Sequence, residues 1–214
     1  MGASLLKESR ILLLRHAETS APDRFHGAES DVGLGERGRR QAGAVAVVLA
    51  AERPAAIYTS AMRRAIETAV PIARACGLEP RIEADLHERR MGPLSGLSRE
   101  EGLAAYTEAK QRWMSGDIEF THPGGESFAD IQRRVLPVLQ RIADSARGET
   151  IVVVAHGVVI RVFLTSILEG HSVADFERFS IDNTALNDLR FNRGSWTAAA
   201  LNQRIGADFD AFSW

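Results

Sequence analysis

The run Arg10-Ile11-Leu12-Leu13-Leu14-Arg15-His16 and the run Thr150-Ile151-Val152-Val153-Val154-Ala155-His156-Gly157 are the most informative stretches of the sequence. Each is a short block of apolar residues that ends directly in a histidine. Short apolar runs of this kind, the second rich in β-branched residues, are typical of buried strands in a parallel sheet. The carboxyl ends of such strands line the ligand crevice of α/β proteins. The sequence therefore predicts both histidines at one ligand-binding edge.

Segments with helical periodicity lie between and around these two runs. Apolar residues recur every three or four positions over 36 to about 52, 62–76, 99–115, 128–142 and 158–168. Further short strands are predicted at 56–58 and near 185–191 and 196–202. The alternation of strands and helices favours an α/β fold, a three-layer α/β/α sandwich around a mostly parallel central sheet. Pro137 is expected to kink the fourth helical segment.

Length and composition describe one globular domain. The sequence has 214 residues, of which 45% are hydrophobic and 25% are charged, and its formal net charge is −2. These values exclude a disordered or collagen-like chain. We expect a single domain over 1–214, with about 90–125 as an insertion above the strand ends. A near-neutral chain gives no electrostatic argument for binding nucleic acid or an anionic membrane.

The expected compartment is the cytoplasm. Cys76 is the only cysteine, which excludes an intramolecular disulfide and any site that needs two thiolates. No apolar run reaches the roughly 20 residues that span a bilayer. Residues 1–10 also lack the pattern of a signal peptide. The sequence therefore predicts a cytoplasmic protein without a membrane partner.

Two familiar motifs occur without the sequence context that each of them requires. Gly33-Leu34-Gly35-Glu36-Arg37-Gly38 fits the G-x-G-x-x-G dinucleotide motif, but no strand runs into it. His16-Ala17-Glu18 fits the H-x-E half of a zinc deaminase, whose other half needs two cysteines. The remaining histidines show no metal-ligand spacing, so no metal site is predicted.

Two arginines are expected to lie close to the two histidines. Arg15 directly precedes His16, and the strand that ends in Tyr58-Thr59-Ser60 leads to Arg63-Arg64. Guanidinium groups suit phosphate oxygens because they donate in pairs. A cluster of Arg15, Arg64 and the two histidines therefore predicts an anion site. These residues alone do not show which histidine reacts.

A series of short motifs follows in order along most of the chain. They are Leu13-Leu14-Arg15-His16-Ala17-Glu18-Thr19, Ser60-Ala61-Met62-Arg63-Arg64-Ala65-Ile66-Glu67-Thr68-Ala69, Leu86-His87-Glu88, Gly125-Glu126-Ser127, and Val154-Ala155-His156-Gly157 with Arg161. Between about residues 10 and 191 this series resembles the histidine phosphatase superfamily, also called phosphoglycerate-mutase-like. The first motif is similar to the family's L-x-R-H-G-E-T, with Ala17 in place of the usual glycine.

The resemblance implies a metal-independent phosphomonoesterase that acts on a small phosphorylated metabolite. His16 would attack the phosphoryl group and form a phosphohistidine. Arg15, Arg64 and His156 would hold the phosphoryl oxygens. Glu88 would act first as general acid and then as general base. No cofactor is implied.

Substrate contacts are expected from loops at the same edge. The candidates are Arg24, Phe25, His26, Gly27, Arg89, Arg90 and Gly157. The basic residues of these loops and of 89–120 either bind a second anionic group, such as a carboxylate or another phosphate, or face solvent. A homodimer is left open as the oligomeric state.

Three departures from the mutase pattern favour the phosphatase branch. Ala21-Pro22 stands where mutases of the family carry Trp-Asn, and Met91 stands where they carry Tyr. The stretch between Glu88 and Gly125 is also shorter than the one expected for a mutase. A mutase must exclude water from its phosphohistidine, whereas a phosphatase must admit water. A phosphoglycerate mutase or another phosphotransferase is the first alternative, and a phosphate-binding module without turnover is the second.

Overall fold

The central sheet carries the ligand-binding edge. The computed structural model describes residues 8–146 and 148–205. Its strands are β1 (Ser9–Arg15), β2 (Ala56–Ser60), β3 (Pro80–Glu83), β4 (Thr150–Ala155), β5 (Leu186–Asn192) and β6 (Ser195–Gln203). They form a six-stranded sheet in the order β3-β2-β4-β1-β5-β6. The first four in this order are parallel, whereas β5 and β6 are antiparallel to their neighbours. The prediction of a mostly parallel sheet is confirmed.

Helices cover both faces of this sheet. They are α1 (Glu36–Ala51), α2 (Arg63–Cys76), α3 (Arg99–Met114), α4 (Phe128–Ala146) and α5 (Gly157–Ile167). Because successive side chains of a strand point to opposite faces, Leu12 and Leu14 pack against α1 and α2. Ile11 and Leu13 pack against α4 and α5 on the other face. The three-layer α/β/α sandwich is therefore confirmed.

Most element boundaries agree with the sequence predictions to within two residues. Helix α4 continues without interruption through Pro137, the residue at which the sequence predicts a kink. A 3-10 helix at Val173–Arg178 was not predicted, because its six residues are too few to show a period. No helix among the described residues is long and apolar enough to cross a membrane. The prediction that no signal peptide is present rests partly on residues 1–7, which lie outside the described ranges. The two ends of the predicted 1–214 domain also lie outside them.

Helix α3 lies over the carboxyl edge of the sheet and is tied to the loop after β1. The helix begins at a capping box, in which Ser98 and Glu101 satisfy each other's backbone N–H groups. Phe25 N donates to Leu97 O at 2.9 Å, and the Phe25 ring lies 4.9 Å from that of Tyr106. A Cβ atom at Gly102 would lie only 2.7 Å from the Phe25 ring, so glycine permits this close approach.

Candidate active site

The two strand-end histidines face each other across adjacent strands. His16 directly follows β1 and His156 directly follows β4, and Arg15 pairs with Ala155 at the end of that parallel ladder. The centroids of the two imidazole rings are 5.1 Å apart. The structure thus brings together the two residues that the strand-end rule singled out.

His16 is held in one tautomer. Its Nδ1 lies 2.7 Å from the carbonyl oxygen of Ala17. A carbonyl only accepts, so Nδ1 carries the proton and Nε2 keeps its lone pair. Burial, assisted by the charges of Arg64 and Arg15, holds the pKa of His16 well below its usual range. The ring is therefore neutral near pH 7 and has a free nucleophilic nitrogen.

The loop that carries His16 is fixed from both sides. Asn183 Nδ2 donates to His16 O at 2.8 Å, and Ala17 N donates to the hydroxyl of Thr68 at 3.0 Å. Ala17 itself is fully buried. Alanine is accommodated here as well as the family's glycine because the residue is not among those with a positive φ.

His156 is fully buried and has one side-chain partner. Its Nε2 lies 2.8 Å from Ser60 Oγ, which in turn accepts the N–H of Met62 at 3.2 Å. Burial is the main cause that lowers the pKa of His156 far below its usual range, with contributions from Arg64 and His16. Its Nδ1 is buried and has no hydrogen-bond partner within residues 8–146 and 148–205.

Two arginines lie beside these rings. Arg15 donates from Nη1 to Ile181 O at 2.9 Å, and the fully buried Arg64 donates from Nη1 to Ser30 O at 3.1 Å. Burial lowers the pKa of Arg64 to about 10, so its guanidinium remains charged near pH 7. Among the described residues, the buried side-chain nitrogens without a partner are Arg15 Nε, Arg64 Nε, Arg89 Nη1 and His156 Nδ1. Unpaired buried polar atoms are costly. The cluster of Arg15 Nε, Arg64 Nε and His156 Nδ1 therefore indicates an anionic ligand.

Glu88 lies at the same cavity as His16 and is nearly buried, with 8% exposure. Its Oε1 accepts the N–H of Arg89 at 2.8 Å, and its Oε2 accepts the N–H of Val158 in the first turn of α5 at 3.3 Å. These contacts hold the carboxyl group at the wall of the cavity that His16 also lines.

An ion pair holds the segment that carries Glu88. Arg134 donates to Glu126 from Nε at 2.8 Å and from Nη2 at 2.9 Å, and it also reaches Asp85 O at 2.6 Å. Burial alone would raise the pKa of Glu126. The bonds from Arg134 and from the N–H of Arg90 outweigh burial and lower it. Glu126 is therefore a carboxylate, and its ion pair with Arg134 holds the segment that carries Glu88.

The cluster opens into a cavity of about 740 Å³ between the sheet edge and α3. Arg15, His16, Glu88 and Gly157 lie at its wall, as do Arg24, Phe25 and His26 from the loop after β1. Arg99, Lys110 and Arg161 add further positive charge. No group of three or more His, Cys, Asp or Glu within 8–146 and 148–205 is arranged to hold a metal ion.

The sequence and the fold of this chain match known proteins. A family model described as histidine phosphatase superfamily, branch 1, matches residues 11–204. The chain belongs to this superfamily. It is 36% identical over 204 residues to a metal-independent phosphoserine phosphatase of Arabidopsis thaliana, covering 92% of this chain and 85% of that protein. It is 34% identical over 178 residues to phosphoserine phosphatase 1 of Hydrogenobacter thermophilus, covering 82% of this chain and 83% of that protein.

A solved structure agrees with the sequence comparisons. Mycobacterial glucosyl-3-phosphoglycerate phosphatase superimposes with a TM-score of 0.80 at 28% identity, covering 92% of this chain and 100% of that chain. The histidine phosphatase superfamily acts on small phosphorylated metabolites through a phosphohistidine. The predicted family, fold and reaction class are confirmed: this protein is a phosphoric monoester hydrolase.

Three predicted substrate contacts are not among the residues that line the cavity of this histidine phosphatase, and their role stays a prediction. Successive side chains after Glu88 take different directions. Arg89 is buried, donates from Nε to Glu126 O at 2.9 Å and lies 4.4 Å from the Trp113 ring centroid. Arg90 lines a second cavity of about 450 Å³. Gly27 O accepts a hydrogen bond from Arg64 Nη2 at 3.3 Å.

Two site residues carried no role in the sequence predictions. Ser60 is the only side chain among the described residues that hydrogen-bonds His156 Nε2. It ends β2, so the strand-end rule that found the histidines also applies to it. Arg161 lines the main cavity, and its place one helical turn after Gly157 was the available signal.

Proposed function

We propose that this histidine phosphatase hydrolyses a small phosphomonoester with His16 as nucleophile and Glu88 as acid and base. The observation that supports it best is the neutral His16, with a free Nε2, beside three buried donors that have no protein partner. Those donors, Arg15 Nε, Arg64 Nε and His156 Nδ1, suit the charge of a phosphoryl group in the transition state.

The reaction has two steps. His16 Nε2 attacks phosphorus, the bond to the ester oxygen breaks, and Glu88 gives its proton to the departing alkoxide. Glu88 then takes a proton from a water molecule, whose oxygen attacks the phosphohistidine. Inorganic phosphate leaves, His16 Nε2 recovers its lone pair, and Glu88 is again protonated. Water reaches the phosphohistidine through the open 740 Å³ cavity, which favours hydrolysis over transfer to a second substrate.

The proposed substrate is a three-carbon acid with the phosphate at C3 and a carboxylate at C1. The names of the relatives support this class, because phosphoserine and glucosyl-3-phosphoglycerate share this skeleton and differ in the group at C2. The basic cavity wall supports it as well, since a second negative charge needs a partner. A volume of 740 Å³ also leaves room for a C2 substituent.

The remaining assignments complete the proposal. Residues 90–125, which contain α3, act as a cap on a single domain, with Phe25 and Tyr106 as the contact between cap and loop. Arg24, Phe25, His26 and Gly157 are proposed to contact the substrate from the cavity wall. The compartment is the cytoplasm, with no nucleic acid or membrane as partner, in keeping with the composition.

Trapping of the phosphoenzyme tests the proposal. The enzyme is mixed with ³²P-labelled substrate and quenched in alkali, where phosphohistidine is stable and acyl phosphate is not. We expect acid-labile label on the wild type and on His122→Ala, a histidine outside the cavity lining, but none on His16→Ala. Label that persists on His16→Ala would overturn the assignment of the nucleophile.

A further inference from the structure

Arg161 is a cation of the main cavity that the proposed reaction does not use. It lies on α5, half-buried, and lines the cavity together with Gly157 and Val158. Its Nε donates to Phe179 O at 2.8 Å, and its guanidinium carbon lies 5.6 Å from the Phe176 ring centroid. Its two Nη atoms donate to no other residue in the part of the chain that the structure describes.

The other cationic side chains of the outer cavity are either paired with a carboxylate or exposed to solvent. Lys110 forms an ion pair with Glu177, and both residues line the cavity. Arg24 is exposed and donates to Gly96 O at 2.7 Å, and Arg99 is exposed and donates twice to Pro22 O at 3.2 Å. Arg161 is therefore distinguished by being half-buried, held by two contacts and without a carboxylate partner among the described residues.

The position of Arg161 places its charge near the phosphate site. Gly157 begins α5, and a Cβ atom there would lie 3.6 Å from Arg15 Nε, one of the unpaired donors. Arg161 follows four residues later, about 6 Å along the helix axis. Side chains of a helix lean toward its N-terminus, and Arg15 and Arg161 line the same cavity. The charge of Arg161 accordingly contributes to lowering the pKa of Arg15, whose main cause is burial.

Two guanidinium groups in one partly buried cavity repel each other unless anionic groups lie between or beside them. The phosphoryl group neutralises Arg15 and Arg64. Glu88 and Asp182 line the same cavity, but neither pairs with Arg161, whose Nη atoms are therefore open to a second anionic group of the substrate. A carboxylate suits its two Nη donors, which present the planar fork that binds a carboxylate in bidentate fashion.

We propose that Arg161 binds the C1 carboxylate of the substrate and thereby selects 3-phospho acids over phosphate esters without a carboxylate. This inference rests on the proposed function, because it places the phosphate at Arg15, Arg64 and His156. Arg161 is a specificity-determining residue, and Phe176 and Phe179 set the orientation of its guanidinium. The C2 substituent then extends into the remaining cavity toward Tyr106.

A matched pair of substrates tests the inference. O-phosphoserine and O-phosphoethanolamine differ only in the carboxylate. We expect the wild type to prefer O-phosphoserine in kcat/KM. Arg161→Gln is expected to lower kcat/KM about 10- to 100-fold more for O-phosphoserine than for O-phosphoethanolamine, the effect of losing charge-assisted hydrogen bonds. The loss should fall mainly on KM, because the carboxylate contact is the same in the ground state and in the transition state.

Two further variants separate binding from folding. Arg161→Lys keeps the charge and most of the stem, so it should regain part of the preference. Arg74→Gln removes an exposed cation of α2 that does not line the cavity, and it should leave the ratio of the two kcat/KM values unchanged. Equal losses on both substrates in Arg161→Gln, or a wild type that does not distinguish them while it forms phosphohistidine, would overturn the inference. Absence of phosphohistidine with every ester tested would instead refute the proposed function.

Discussion

Ser60→Ala isolates the residue that sets the tautomer of His156. Ser60 Oγ accepts the N–H of Met62, and we expect it to donate its own proton to His156 Nε2 at 2.8 Å. Nε2 then accepts, and the ring proton is on Nδ1, the buried atom without a protein partner. We therefore expect His156 to present an N–H to the phosphoryl oxygens in the wild type.

The substitution has two consequences of predictable size. A fully buried imidazole loses its one side-chain hydrogen bond, which costs about 1–3 kcal/mol of the free energy of unfolding. The proton also becomes free to move to Nε2, which turns the Nδ1 lone pair toward the phosphoryl oxygens. Loss of one transition-state donor of this kind lowers kcat about 10²- to 10³-fold.

The assay measures phosphohistidine formation in a single turnover, together with the urea midpoint of unfolding. Thr59→Val is the matched control, because Thr59 is also fully buried and its hydroxyl donates to Ser60 O at 3.2 Å without touching His156. We expect Ser60→Ala to slow phosphohistidine formation far more than Thr59→Val does. Equal rates in the two variants would refute the tautomer argument.

Three further outcomes are expected. Glu88→Gln should slow alkyl phosphate esters about 10²- to 10⁴-fold and aryl esters much less, since a good leaving group needs no proton; equal losses would contradict the general-acid role. The pKa values of His16 and His156 are lowered in the fold, so below about pH 6.5 the unfolded chain binds more protons. The free energy of unfolding should therefore decrease as the pH is lowered, by up to about 1.4 kcal/mol per pH unit for each histidine. Urea midpoints of unfolding at pH 7, 6 and 5 check this. Arg89→Met should lower the urea midpoint without raising KM, since Arg89 packs on Trp113 outside the cavity; a raised KM would return it to the substrate site.

Local patterns in the sequence were sufficient for five of the six strands and for the two histidines at strand ends. Apolar runs of strand length identified β1 and β4, and the strand-end rule placed His16 and His156 at one edge because parallel strands share the direction of their carboxyl ends. The helical periods identified α1, α2 and α4, whose buried faces are wide and apolar. The acid at Glu88 came from the family motif, because no strand or helix period marks that irregular segment.

The direction of each side chain outside these elements was decided only by the tertiary structure. Arg89 and Arg161 are both arginines next to a family motif, yet one is buried over Trp113 and the other faces the cavity. Their roles depend on partners far along the chain, Glu126 for the first and Phe179 for the second. Backbone periodicity predicts which face of a strand or helix is buried, because it follows from local geometry. Hydrogen-bond partners across elements depend instead on packing between distant segments, which no local pattern encodes.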